Sequence, residues 1–357
     1  MKALNHLALI RVDGGHLSSD ILVRIIVASC MTFVSVRTMT DGILLLGFGG
    51  PTPGCCERRA TCPKTPGCEA ECFVAGILGD NPARAARIKE VTEHYHHLGG
   101  FSPYNELTQR QADALQQELT RRGRAVTTAC GFRHWSPWSI DGLRALHNAG
   151  CSRTILLIMA PHQSSVSWDW YLKHAAEAAE KLGAAAPPIV GVVQPWWLER
   201  GYIKATANAV RDATIGWSPE RFTAASLIFT AHAIPQPVET TSPYRKQFAE
   251  TAAAAAKELG HDEHSIAFQS QPGDSKIRWS SPTIEQAIEI AHQQGKRDVI
   301  VQAAGFLVDH TEVLYDLDYE AKAFADKLGI TLTRARCVHD DPAFIAMLAD
   351  RVEQALK

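Results

Sequence analysis

Gly305-Phe-Leu-Val-Asp-His-Thr-Glu-Val-Leu-Tyr-Asp-Leu-Asp-Tyr-Glu320 is where the chain changes its hydrophobic period. Before it, Val299-Ile-Val-Gln-Ala-Ala304 is an apolar run of strand length that reads as buried. From Thr311 onward, Val313, Leu317, Ala321, Phe324 and Leu328 recur at helical spacing and define a core-facing stripe. Glu312, Asp316 and Glu320 fall at i, i+4 and i+8, one stacked row beside that stripe. Like charges at this spacing cost roughly 0.2–0.5 kcal/mol per pair on an exposed helix. Two readings account for the row. In the first, Asp309 and Glu312 form a capping box with Asp309 as N-cap, and Asp316 and Glu320 are a solvated edge. In the second, the row is a carboxylate ladder that passes divalent cations to a buried site, since oxygen and imidazole ligands suit hard and borderline metals. Spacing alone leaves both open.

Working outward, 357 residues suggest two domains, and 46% hydrophobic with 21% charged residues is the balance of an ordinary globular protein. A net charge of -2 argues against nucleic acid as the main partner. Residues 1–38 fit poorly with the rest. Ile21 to Val36 is apolar, but Arg24 interrupts it, and no run reaches the ~20 residues of a membrane span. No small-residue cleavage site follows. Met39 stands directly before the first convincing strand, so residues 1–38 read as an extension from a mis-assigned start, and the protein as cytoplasmic.

The strand candidates of the first unit, residues 39–221, are Gly42–Gly47, Val126–Phe132, Thr154–Met159 and Ile189–Val193. Those of the second, 222–357, are Ser226–Thr230, Ser265–Gln269, Asp298–Ala303 and Thr331–Arg334. Helical patterns alternate with them, among them Ala83–Leu98, Thr108–Arg122, Trp168–Leu182, Ser242–Leu259 and Pro282–Gln294. The last, Pro342–Leu356, packs back on the body. This rhythm predicts an α/β protein of two Rossmann-like doubly wound units, each with a mainly parallel four-stranded sheet, and a ligand cleft between them. Phe101 to Asn105, with Ser102 and Tyr104, reads as a loop whose side chains could face a planar ligand.

Five of nine cysteines (Cys55, Cys56, Cys62, Cys68 and Cys72) crowd a Pro- and Gly-bearing stretch that reads as a loop. Their spacing matches none of the common zinc or ferredoxin patterns. A bound metal or iron–sulfur cluster, and reduced thiols with or without a redox role, both remain open.

Phe229-Thr-Ala-His-Ala-Ile-Pro235 places His232 just after a strand. In a parallel sheet both carboxyl ends open on one edge, so His232 and Glu312 can converge there. A neutral imidazole beside a carboxylate can bind a divalent metal and accept protons, the two tasks of metal insertion into a tetrapyrrole.

At these residues the chain resembles the ferrochelatases, which insert ferrous iron into a porphyrin in haem synthesis. The resemblance spans roughly Gly42 to Leu356. It rests on Gly99-Gly-Phe-Ser-Pro-Tyr-Asn-Glu-Leu-Thr108, Ala160-Pro-His-Gln-Ser-Ser-Val-Ser167, Phe229–Pro235, Gly305–Asp316, and Phe268-Gln-Ser-Gln271 with Trp279 and Pro282. It implies His232 and Glu312 as the catalytic pair, either proton acceptors or iron ligands, with Asp316 and Glu320 as the route for metal or protons. It also implies a local π-turn in the acidic helix, and Ser102, Tyr104, Tyr171 and Trp279 as porphyrin contacts. No cofactor is required on this reading, Fe(II) being substrate, and the partners are porphyrin and ferrous iron. Asp318-Tyr-Glu-Ala-Lys322 looks most like the bacterial coproporphyrin III type; protoporphyrin IX is the other ring. Two features depart from that type: Gly50-Pro-Thr52 stands where it carries a tyrosine, and Gly76-Ile-Leu-Gly79 lacks its arginines. Some members hold a [2Fe–2S] cluster through cysteines near the C-terminus, where this chain has Cys337 alone. A chelatase for another metal or tetrapyrrole is the enzymatic alternative, and a non-catalytic tetrapyrrole carrier the other.

Overall fold

The computed structural model describes residues 40–54, 65, 67–79, 81–273 and 275–357. The expectations for residues 1–38 and for Cys55, Cys56 and Cys62 lie outside them. Among the described residues eight strands follow in order: β1 (Thr40–Gly47), β2 (Val126–Phe132), β3 (Cys151–Ile158), β4 (Ile189–Val192), β5 (Ser226–His232), β6 (His264–Gln269), β7 (Asp298–Gln302) and β8 (Thr331–Ala335). They form two four-stranded sheets, ordered β2-β1-β3-β4 and β6-β5-β7-β8, with every pairing parallel. The second sheet therefore repeats the order of the first. Both belong to one compact body, Met39–Lys357.

The central strands are buried on both faces, as a parallel sheet between helical layers requires. In β1, Ile43 and Leu45 enter one core while Leu44 and Leu46 enter the other. In β5, Leu227, Phe229 and Ala231 face one layer and Ile228 the opposite one. Period-2 alternation thus feeds two cores from one short strand.

The helices are α1 (Cys68–Leu78), α2 (Ala85–His97), α3 (Tyr104–Arg121), α4 (Ser139–Asn148), α5 (Trp168–Leu182), α6 (Arg200–Ala213), α7 (Tyr244–Leu259), α8 (Ile284–Gln293), α9 (the run 311–327) and α10 (Pro342–Ala355), with short turns at Pro219–Ala224 and Gln236–Thr241. Among the described residues no helix is long and apolar enough to cross a membrane. Helix α10 returns from the second sheet to pack on α3 and α6, and its Phe344 and Leu348 join the core of Ile43, Leu45 and Leu115.

Three local expectations change. The cysteine stretch is not loop to its end, because α1 begins at Cys68 and turns Cys68 and Cys72 into a core with Phe73, Tyr95 and Trp135. Tyr104 and Asn105 belong to the first turn of α3, not to a loop. Asp309 does not cap α9. His310 does so, its Nδ1 accepting from the backbone N–H of Glu312 at 3.3 Å. Asp309 is drawn instead to Arg334 at 2.9 Å and His339 at 3.1 Å.

Candidate active site

The carboxyl ends of β1, β3, β5 and β7 open on a common cleft of about 370 Å³, within the roughly 300–1,000 Å³ of small-molecule sites. Its walls are mostly apolar and aromatic, with Tyr104, Tyr171, Trp279 and Phe306 among them. His232, the last residue of β5, and Glu312, in the first turn of α9, face it together.

The close approach of two backbones makes that convergence possible. Gly305 donates its N–H to Thr230 O at 2.9 Å, and a Cβ there would sit 2.5 Å from Ala231 Cβ. Only a residue without a side chain lets the segment after β7 lie against β5.

The orientation of the His232 ring follows from its hydrogen bond. Nδ1 contacts the carbonyl of Ala233, which can only accept, so Nδ1 is the donor there and Nε2 is the atom turned toward Glu312. Nε2 lies 3.6 Å from Glu312 Oε2, too far for a hydrogen bond between them. The Tyr244 hydroxyl donates to His232 O at 3.0 Å and fixes the strand end. Gln269 Nε2 donates to Glu312 O at 3.1 Å from the neighbouring strand β6.

The acidic row proves heterogeneous. Backbone 314–321 is π-helical, as the family resemblance implies. Asp316 is buried and hydrogen-bonded to the Ser270 hydroxyl. Burial first, then the nearby Glu312 and Glu320, push its carboxyl well above the usual carboxylate range and outweigh that hydrogen bond. Glu320 lies on the exposed side. Among the described residues no three His, Cys, Asp or Glu side chains converge as around a held metal ion. Of the expected ligands, the structure brings together His232 and Glu312.

Of the expected ring contacts, Tyr104, Tyr171 and Trp279 line the cleft. Burial pushes the Tyr104 phenol up to about 12, and its oxygen accepts from Phe48 N–H at 2.9 Å. Ser102 lies behind the wall, its N–H bonded to Pro51 O at 2.9 Å and its Cβ where a side chain on Gly50 would clash. Two histidines escaped the sequence reading. His310 is buried on the cleft wall against Phe306 and Tyr104, and burial lowers its pKa. Its signal was its place two residues before Glu312. His162, in the Ala160–Ser167 motif, is also buried there, and burial holds it down at about 3.

Residues 69–356 match the family model described as ferrochelatase. A ferrochelatase of Deinococcus radiodurans is 31% identical over 88% of this chain and 95% of its own length. A coproporphyrin III ferrochelatase of Mycolicibacterium smegmatis is 29% identical over 88% and 90%. Among solved structures, SirB from Bacillus subtilis with Fe3+ superposes with a TM-score of 0.53 at 11% identity, covering 88% of this chain and 95% of SirB. That last likeness concerns the fold alone.

Proposed function

Since the chain belongs to the ferrochelatase family and inserts iron into a porphyrin in haem biosynthesis, we propose that His232 and Glu312 take the two protons the ring must lose. The free-base ring gives up two pyrrole N–H protons as Fe(II) binds its four nitrogens, so charge and atoms balance. One observation carries the assignment. The His232 ring, its Nδ1 held by the Ala233 carbonyl, presents Nε2 3.6 Å from Glu312 Oε2, both on the cleft wall.

In this scheme His232 Nε2 accepts a pyrrole proton and becomes an imidazolium, which the Glu312 carboxylate stabilises. Glu312 accepts the second proton. Release toward solvent then follows the row through Asp316, whose carboxyl accepts from the Ser270 hydroxyl, to Glu320 at the surface. Tyr104, Tyr171 and Trp279 hold the macrocycle by apolar and aromatic contact. The ring we propose is coproporphyrin III, the substrate in the name of the Mycolicibacterium relative.

The test is anaerobic mixing of the protein with Fe(II) and either coproporphyrin III or protoporphyrin IX, followed by absorbance. Metalloporphyrin should form, faster with coproporphyrin III. His232→Ala and Glu312→Gln should each lower kcat about 100-fold or more, within the range of positioned acid–base groups. Both variants should still perturb the porphyrin spectrum on binding. Wild-type kcat in His232→Ala would reject the base assignment.

A further inference from the structure

The π-helical stretch of α9 is gripped from outside by a second helix. His94 of α2 lies flat on Tyr315, with ring centroids 3.9 Å apart and planes 12° from parallel. His97, one turn further on, meets Tyr315 edge-on at 5.6 Å and tilts onto Tyr319 at 4.2 Å. Tyr315 and Tyr319 are themselves 5.2 Å apart. Four rings from two helices form one aromatic cluster, and both tyrosines lie inside the π segment Leu314–Ala321. Each is followed at once by a carboxyl of the row, Asp316 after Tyr315 and Glu320 after Tyr319.

A π turn is a rare backbone register that persists where packing holds it. Reverting to α geometry would rotate Tyr315, Asp316, Tyr319 and Glu320 relative to Glu312. The clamp side is itself anchored. On its other face α2 buries Tyr95 against Phe73 of α1, ring centroids 5.5 Å apart.

We propose that His94 and His97 are positioning residues which, by ring contact with Tyr315 and Tyr319, keep the acidic row in its π register and so hold Asp316 and Glu320 in line with the catalytic Glu312. The proposal rests on iron insertion being the reaction of this cleft. Aromatic stacking, not metal ligation, is the interaction that acts, which separates it from a cation-binding role for the same histidines.

The experiment measures insertion by the full chain, with Fe(II) varied at saturating porphyrin and then the reverse. His94→Ala and Tyr315→Leu should each lower kcat about ten-fold, the order expected when a catalytic group is misplaced by a fraction of an ångström. KM for porphyrin should stay within about two-fold, because the cleft walls are untouched. His94→Phe keeps a stacking ring but no ligating nitrogen, and should recover most of the lost kcat. If His94→Phe is as slow as His94→Ala and both raise KM for iron, His94 is a metal ligand and the clamp is wrong. Wild-type kcat in His94→Ala also overturns it, and this variant carries the test if Tyr315→Leu fails to fold. Absence of metalloporphyrin with the wild-type protein overturns the reaction, and the clamp's role with it. Activity in the wild type and in every variant overturns the clamp alone.

Discussion

Burial disfavours the charged form of three side chains in or beside the cleft, lowering the pKa of His162 and His310 and raising that of Asp316. His162 also gives the protein an acid sensitivity. Its folded-state pKa is about 3 against an ordinary 6.5, so between those values the unfolded chain binds a proton that the folded chain excludes. Stability is intact above about pH 6.5 and falls as pH drops toward 3, by up to about 4 kcal/mol. Melting temperature should therefore decline from pH 7 to pH 4, and His162→Gln should flatten the slope. Parallel curves for the two proteins would show that His162 is not the group responsible. None of this was visible in Ala160-Pro-His-Gln-Ser-Ser, because the motif does not say that Thr251, far along the chain, lies 3.0 Å from His162 Nε2. His232 and Glu312 were legible by contrast, each sitting just past an apolar strand run whose carboxyl end had to open on the cleft.

At the scale of elements, the strands were legible because a parallel strand buried on both faces is a nearly unbroken apolar run. What failed was register and punctuation. Helix α1 was hidden by the prolines and glycine just before it, which made Cys68 and Cys72 read as loop. The π stretch cannot be read from a 3.6-residue period and entered through family resemblance alone. Asp309 has the spacing of a cap, yet a distant arginine, Arg334, takes its carboxylate and leaves the cap to His310. The junction of β5 with the segment after β7 makes a prediction of its own. Gly305→Ala forces a methyl to within 2.5 Å of Ala231 Cβ, so it should destabilise the protein by about 1–3 kcal/mol. It should also slow insertion more than that loss of folded protein explains, because the strand end that yields carries His232. Denaturant titration and kcat measured on the same preparation check it. Unchanged values for both would mean that the backbones part without disturbing the site.

Across the whole molecule, the repeated alternation of strands and helices was legible, but the strand order and how the halves interlock were not. Helix α10, reached only after β8, fills the core beneath the first sheet, where Phe344 packs on Trp196 and Tyr202 with ring centroids 5.6 and 6.0 Å away. Arg122 of the turn after α3 adds ion pairs to Asp350 at 2.6 Å and Glu353 at 3.2 Å. Phe344→Ala should cost about 3–5 kcal/mol. The loss should appear in a single calorimetric transition, since each half lends the other part of its interior; two separated transitions would contradict that. The order of synthesis gives the same feature another meaning. All four strands of the first sheet leave the ribosome long before α10 is made. Throughout translation of the second half, Ile43, Leu45 and Leu115 lack their last covering layer. A nascent chain stalled before Pro342 should therefore present a sticky, chaperone-binding surface on a half that otherwise looks complete, and release of the final helix should close it.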